Sequence, residues 1–310
     1  MIRTYKYIDD RLQEITTFQK GSWINLMAPT EDEIMEVSQR FDIPLEFIKD
    51  PLDINERSRT ESEDGIILIV LRTPYYCEEG QNVPFNTMPL GIIVCDDTIV
   101  TVSTRKNDVL EKIMGGRVKN TIPAKKSRFV LQLFYHTSLT YLDYLKRINA
   151  RSIDTENELH QSLKNEELIR LLNLEKSLVY FNTSLKANEF MMEKLQKSVF
   201  LHLYPEDEDI LEDVIIENRQ AIEMANIYTN ILTGTMDAFA SVISNNLNVV
   251  MRLLTSVTLI LTLPMLVASI YGMNISLPMQ QSPHAFMITM GVSFLVALIG
   301  ILFLFWKRWF

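Results

Sequence analysis

The residues best placed to do chemistry lie along one short stretch near the C-terminal end of the chain. Steps of three or four residues from Asn248 reach Met251, Thr255, Thr258, Thr262, Met265 and Ser269, so most polar side chains of this stretch share one stripe of a helix. A row of neutral oxygens can accept hydrogen bonds from water or from the hydration shell of a cation. No carboxylate lies on the stripe, so an ion would pass without being held by charge. Magnesium releases its water shell reluctantly and demands near-ideal octahedral geometry, so a path for it does better to receive the hydrated ion through neutral oxygens. A single threonine in a membrane helix means little, because its hydroxyl can bond the preceding turn. Several on one face point either to a close helix–helix seam or to a water-filled lumen.

The stripe runs into "YGMN", Tyr271 to Asn274. The helix is expected to stop at Tyr271 and Gly272, with Gly272 in a left-handed cap, its last carbonyls unpaired and partly negative, and the Asn274 amide oxygen beside them. Several symmetry-related copies of this turn would ring an outer mouth with neutral oxygens. A second candidate is "YPEDEDILED", which holds Glu206, Asp207, Glu208, Asp209, Glu212 and Asp213. Acidic residues complement the dipole of a helix N-terminus, and clustered carboxylates also suit a sensor of hard divalent cations.

Little else in the chain points to chemistry. The four histidines (His136, His160, His202, His284) and two cysteines (Cys77, Cys95) are too far apart for a structural zinc pattern, and HExxH, GxSxG and phosphate-binding glycine loops are absent. These features argue against an enzyme, and the net charge of -9 argues against a nucleic-acid binder. Two cysteines with no disulfide framework suit a reducing compartment.

Two uncharged segments, Leu253 to Tyr271 and Ala285 to Trp306, each approach the roughly 20 residues that cross a bilayer as a helix. The loop between them has no Lys or Arg, whereas Arg252 precedes the first segment and Lys307 and Arg308 follow the second. The positive-inside tendency predicts a two-pass cell-membrane protein with both termini in the cytoplasm. The start, "MIRTYKYIDDRLQEI", lacks the apolar core of a signal peptide, in keeping with a cytoplasmic N-terminal part.

That part reads as an α+β domain with a mixed sheet. "SWINLMAP" is a strand, "TEDEIMEVSQRF" opens a helix with Thr30 as N-cap and Glu33 placed for a capping box, "GIILIVLRTPYY" is a buried strand, and "LGIIVCDDTIVTVST" is two strands joined at Asp96 and Asp97. Between Pro123 and Pro205 there is no proline or glycine, and apolar residues recur at helical spacing, as in two long antiparallel helices. A further helix is expected to run unbroken from Pro205 into the membrane. The expected organisation is a cytoplasmic α/β domain over residues 1–125, a long-helix stalk over 126–247, a pore-lining helix over 248–272, an outer loop over 273–284, a second membrane helix over 285–306 and a basic tail over 307–310.

Two C-terminal membrane helices, Gly272-Met273-Asn274 ending the first, a short outer loop and a basic C-terminus together resemble the CorA family of divalent metal ion (Mg2+/Co2+) transporters. The resemblance covers nearly the whole chain, and its motif match lies in the membrane part. It implies a funnel-shaped homopentamer with the first membrane helix of each subunit around a central pore. It makes Gly272, Met273 and Asn274 the selectivity filter, with Asn274 contacting hydrated Mg2+. It places a cytoplasmic pore entrance at Asn248, a hydrophobic constriction at Met251 and Leu254, a polar ring at Thr255 and a regulatory Mg2+ ligand at Asp213, whose partner is not placed. Two features depart from the family pattern. Thr262 stands where a bulky apolar constriction is common, and the outer loop lacks acidic residues.

The expected function is potential-driven Mg2+ uptake gated by cytoplasmic Mg2+, in a bilayer-embedded homo-oligomer with no organic cofactor and no nucleic-acid partner. Two charges moving through 100 mV release about 4.6 kcal/mol, enough for accumulation without ATP. A zinc, cobalt or nickel transporter, proton-coupled or not, and a membrane-anchored sensor or scaffold without transport are the alternatives.

Overall fold

The computed structural model describes the chain apart from residues 10, 78–82, 117, 119–120, 163–164, 198–203, 276, 280–281 and 308–310. His202, Arg308 and the loop residues Ser276, Gln280 and Gln281 therefore lie outside the described residues. The chain divides into two compact units, Met1–Gly234 and Thr235–Phe310.

The first unit is built on one mixed sheet. Its strands are β1 (Ile2–Ile8), β2 (Arg11–Ile15), β3 (Ser22–Met27), β4 (Arg59–Glu63), β5 (Ile66–Tyr76), β6 (Phe85–Val94) and β7 (Thr98–Ser103), in the spatial order β2-β1-β3-β7-β6-β5-β4. Neighbours are antiparallel except β3 and β7, which run parallel. The Asp64-Gly65 turn between β4 and β5 has positive φ at both residues, the geometry that suits the twist of a tight hairpin.

Both faces of the sheet are covered, which explains why β5 to β7 read as near-continuous apolar runs. Alternate residues serve opposite cores. Ile66, Leu68 and Val70 meet α1 (Glu31–Phe41) and α2 (Leu45–Lys49) through Ile34, Val37, Phe47 and Ile48. Ile67, Ile69 and Leu71 face the other way, into a cluster with Val109 and Leu110 of α3 (Asp108–Met114) and Phe129 and Phe134 of α4 (Lys126–Ser162). Met191 and Leu195 of α5 (Asn165–Gln196) and Leu211 and Val214 of α6 (Pro205–Tyr271) complete that cluster. Helix α1 begins at the capping box that Thr30 and Glu33 predict, each side chain bonding the other's backbone N–H. Helices α4 and α5 are antiparallel, with Arg170 on Glu158 near the turn and Tyr141 edge-on to Phe181 further in. The long helix also forms as predicted, from Pro205 to Tyr271 with Pro264 inside it.

Polar side chains of α5 fix it to the sheet. Beyond Arg59 the outer neighbour of β5 ends, and the fully buried carboxamide of Asn188 takes over the role of a strand. It accepts from the Arg72 N–H at 3.0 Å and donates to the Arg72 carbonyl at 2.8 Å. Ser184 bonds Thr87 and Ser177 accepts from the N–H of Phe85. The Arg72 guanidinium donates to the carbonyls of Ile54, Glu56 and Thr87, and burial lowers its pKa. Leaving any of these groups unpaired in the core would cost about 1–3 kcal/mol.

Cys77 and Cys95 are both buried, and burial pushes both thiols up, that of Cys95 to about 12. A rise of about three units leaves Cys95 roughly a thousandfold less thiolate at pH 8 than an ordinary thiol, and only the thiolate alkylates. Native protein is therefore expected to resist maleimide at pH 8 and to take up two equivalents after unfolding. Rapid native labelling at Cys95 would contradict the packing described.

Candidate functional site

The second unit holds the C-terminal part of α6 and all of α7 (Ala285–Trp306), both long and apolar enough to cross a membrane. Residues on two faces of α6 have different surroundings. Ser256, Ile260, Leu263, Pro264, Val267 and Tyr271 are the less exposed positions, at helical spacing, and of these Leu263 meets Gly300 of α7. Asn248, Met251, Leu254, Thr255, Thr258, Thr262, Met265 and Ser269 are all exposed within the chain. At 3.6 residues per turn the centres of these two sets are about 190° apart. The stripe read from the sequence therefore points mostly away from α7, although Met265 borders a groove shared with that helix.

The seam is close at one place. A Cβ added to Gly300 would lie 2.7 Å from Leu263 Cδ1, so the missing side chain of Gly300 is what admits Leu263. Small residues of this kind let membrane helices approach where no hydrophobic force drives them together. Towards the Tyr271 end, Pro264, Met265, Ala268, Met290, Ser293 and Phe294 border an apolar groove of about 380 Å³. Ser256 is fully buried, and its hydroxyl has no hydrogen-bond partner.

Helix α6 stops at Tyr271, as the sequence predicts, but not by a left-handed cap. Gly272 is absent from the residues with positive φ. Its N–H instead donates to the carbonyls of Ala268 (2.9 Å) and Ser269 (3.2 Å), and the Met273 N–H donates to Ile270 (3.2 Å). The final turn tightens to i→i−3 bonds, a common way for a helix to satisfy its last carbonyls. The carbonyls of Ala268, Ser269 and Ile270 are thereby engaged, so the oxygens this turn can offer begin with that of Tyr271. Met273 and Asn274 are exposed beside it.

At the far end of α6, in the first unit, the acidic run divides by role. Glu206 and Asp207 are taken up by Arg128 at the start of α4, at 2.7 and 2.9 Å. Asp207 is 2% exposed and also accepts from the Tyr204 N–H. This clamp was not legible in the sequence, because Arg128 lies some eighty residues upstream, with nothing local to mark its partners. Asp213 is exposed, on the side of α6 opposite Leu211, Val214 and Ile215, which enter the core. Among the described residues no three His, Cys, Asp or Glu side chains come together to hold a metal ion, and Asp213 is in no such group.

The family model for CorA-like Mg2+ transporter proteins matches residues 18–308. This chain belongs to that family. Among curated relatives, the cobalt/magnesium transport protein CorA of Methanocaldococcus jannaschii is 29% identical over 287 residues, covering 89% of this chain and 87% of the relative. The corresponding protein of Thermotoga maritima is 22% identical, covering 99% and 89%. The complete structure of the Methanocaldococcus jannaschii CorA magnesium transporter superposes with a TM-score of 0.85 at 24% identity, over 100% of this chain and 99% of that one. The fold is that of a full-length CorA protein, and the chain is a two-pass membrane protein. Its relatives are transport proteins.

Gly300 gives a direct test of the seam. Alanine is expected to be tolerated, since the atom it meets is the mobile end of Leu263. Isoleucine must displace the backbone of α7 and is expected to cost about 1–3 kcal/mol, read as a lower melting temperature in detergent. Equal melting of the two variants would show that the helices do not meet there.

Proposed function

We propose that five copies of this chain surround a central pore and conduct Mg2+ into the cell down the membrane potential. The observation that carries this reading is the placement of the polar stripe opposite the α7 seam. In hydrocarbon a face bearing an asparagine, three threonines and a serine needs water or a polar partner, and α7 supplies neither. Symmetry-related copies of α6 turned inward would give it a shared lumen. The family membership of the chain and the transport function of its relatives supply the ion.

In this reading residues 1–125 and 126–247 are the cytoplasmic domain and stalk, 248–272 line the pore, 273–284 form the outer loop, 285–306 form the outer helix and 307–310 are a cytoplasmic tail. Asn274, with Gly272 and Met273, collects the hydrated ion at the outer mouth. Met251 and Leu254 make the apolar constriction, and Thr255, Thr258 and Thr262 contact the ion's water shell between Asn248 and Ser269. Asp213 completes a regulatory Mg2+ site with a residue of a neighbouring subunit. High cytoplasmic Mg2+ holds the subunits together and the pore shut, and Mg2+ loss lets carboxylate repulsion loosen them.

Purified protein in liposomes is expected to admit Mg2+ faster when the interior is made negative, and Asn274→Ala is expected to abolish that entry. Zn2+ or Ni2+ entry under a proton gradient without Mg2+ entry would reassign the cargo, and absence of any flux would refute transport. For the regulatory site, Asp213→Asn is expected to raise the internal Mg2+ concentration that half-inhibits flux. An unchanged inhibition curve would remove Asp213 from the mechanism.

A further inference from the structure

A pore built this way has no fixed charge along its wall, so something else must reject anions. The stripe holds no carboxylate, and the outer loop over residues 273–284 contains no Asp or Glu. The three threonines of the stripe are alike in one respect. Thr255 Oγ1 lies 2.8 Å from the Met251 carbonyl oxygen, Thr258 Oγ1 lies 2.8 Å from that of Leu254, and Thr262 Oγ1 lies 2.7 Å from that of Thr258. A carbonyl oxygen has no proton to give, so in each contact the hydroxyl is the donor. Its single proton is consumed inside the helix. What remains on each Oγ1 is a pair of lone pairs, held in place by that bond to the preceding turn.

We propose that Thr255, Thr258 and Thr262 form an acceptor-only column that sets the sign of the permeating ion. The proposal rests on the pore reading above and adds to it the origin of charge selectivity. Water around a cation turns its protons outward, and those protons find acceptors at three successive levels. Water around an anion turns its lone pairs outward, and the column has no proton for them. A serine at these places would rotate more freely and donate into the lumen part of the time. Asn248 and Asn274 differ in kind, since a carboxamide both donates and accepts. The column lies between them, so the ion is handed from a mixed site through a purely accepting one to a second mixed site. The subunits multiply the effect, because each level repeats around the axis.

The test compares shape with oxygen. Valine at all three positions keeps the volume and the branching and removes the oxygens; serine at all three keeps the oxygens and removes the methyls. Wild-type protein in a planar bilayer under a MgCl2 gradient is expected to show a zero-current potential close to the Mg2+ equilibrium value. The triple valine variant is expected to lose roughly tenfold or more in Mg2+ conductance and to shift that potential towards the chloride value. The triple serine variant is expected to fall between the two. A valine variant with wild-type selectivity overturns the proposal, and so does a serine variant that falls as far as valine, since the methyls would then carry the effect.

Thr258→Cys, probed with a water-soluble thiol reagent against the buried Cys77 and Cys95, separates this proposal from the pore reading. Labelling that blocks conduction together with an unshifted valine variant defeats the acceptor column alone. Absence of labelling in conducting protein defeats both. A single Thr258→Val variant, with a proportionately smaller shift, serves if the triple variant does not assemble.

Discussion

In hydrocarbon a polar group without a partner in the protein or in water carried by it is costly, and this constraint orders most of the membrane unit, the buried Ser256 hydroxyl excepted. Helix α7 has a mainly apolar surface to offer and takes the face of α6 that carries Ile260, Leu263 and Val267. The opposite face is left with Asn248, three threonines and Ser269. The threonines meet half of the requirement alone, by bonding the preceding turn, and that same bond fixes which way their oxygens can act. One constraint thus accounts both for the lipid-compatible seam and for the polarity of the free face. Gly300 belongs to the same logic, because its lack of a side chain lets Leu263 settle close against α7.

The first unit solves a different problem with similar means. A sheet covered on both faces has to keep α5 in register over many residues, and apolar contacts alone are tolerant of sliding. Asn188, Ser184 and Ser177 are spaced along α5 so that each meets a defined backbone or hydroxyl group of β5 or β6. Their satisfied bonds specify one position, because a shift would leave Arg72, Thr87 and Phe85 with unpaired groups in the core. The clamp from Arg128 to Glu206 and Asp207 fixes the start of α6 in the same unit. Of the six carboxylates in the acidic run, these two are committed to folding, which leaves Glu208, Asp209, Glu212 and Asp213 for other partners.

The parts legible from sequence were those written in local periodicity. The capping box at Thr30, the run from Ile66, the hairpin at Asp96, the long glycine-free helices and the two uncharged segments each carry their signal within a few turns. The polar stripe was legible for the same reason, since its spacing alone places it on one face. Strands β1, β2 and β4 were harder to read because they lie towards the sheet edges and show little alternation of buried and exposed residues. The parallel pairing of β3 with β7, the strand-like role of Asn188 and the Arg128 clamp depend on residues 70 to 130 positions apart, and no local pattern encodes them. The end of α6 was half legible. A glycine after an apolar helix marks a stop, but whether it takes a left-handed cap or tightens into i→i−3 bonds is decided by the turn that follows.

In the proposed pore, the absence of charge from the stripe is a requirement rather than a deficit. At about 5 Å, with an effective dielectric constant near 20, one carboxylate attracts a doubly charged ion by about 7 kcal/mol. A binding well deepened by that amount would slow release by about five orders of magnitude, and a ring of such groups would hold the ion rather than pass it. Neutral acceptors that touch only the ion's water avoid this trap, and they also spare the ion the loss of its shell. Discrimination by charge then has to come from the direction of dipoles, which a helix can fix when its hydroxyls are turned back on its own carbonyls. Carboxylates find their use where tight binding is wanted. In this chain the carboxylates of the acidic run that Arg128 does not take, Glu208, Asp209, Glu212 and Asp213, lie at the beginning of α6 in the first unit.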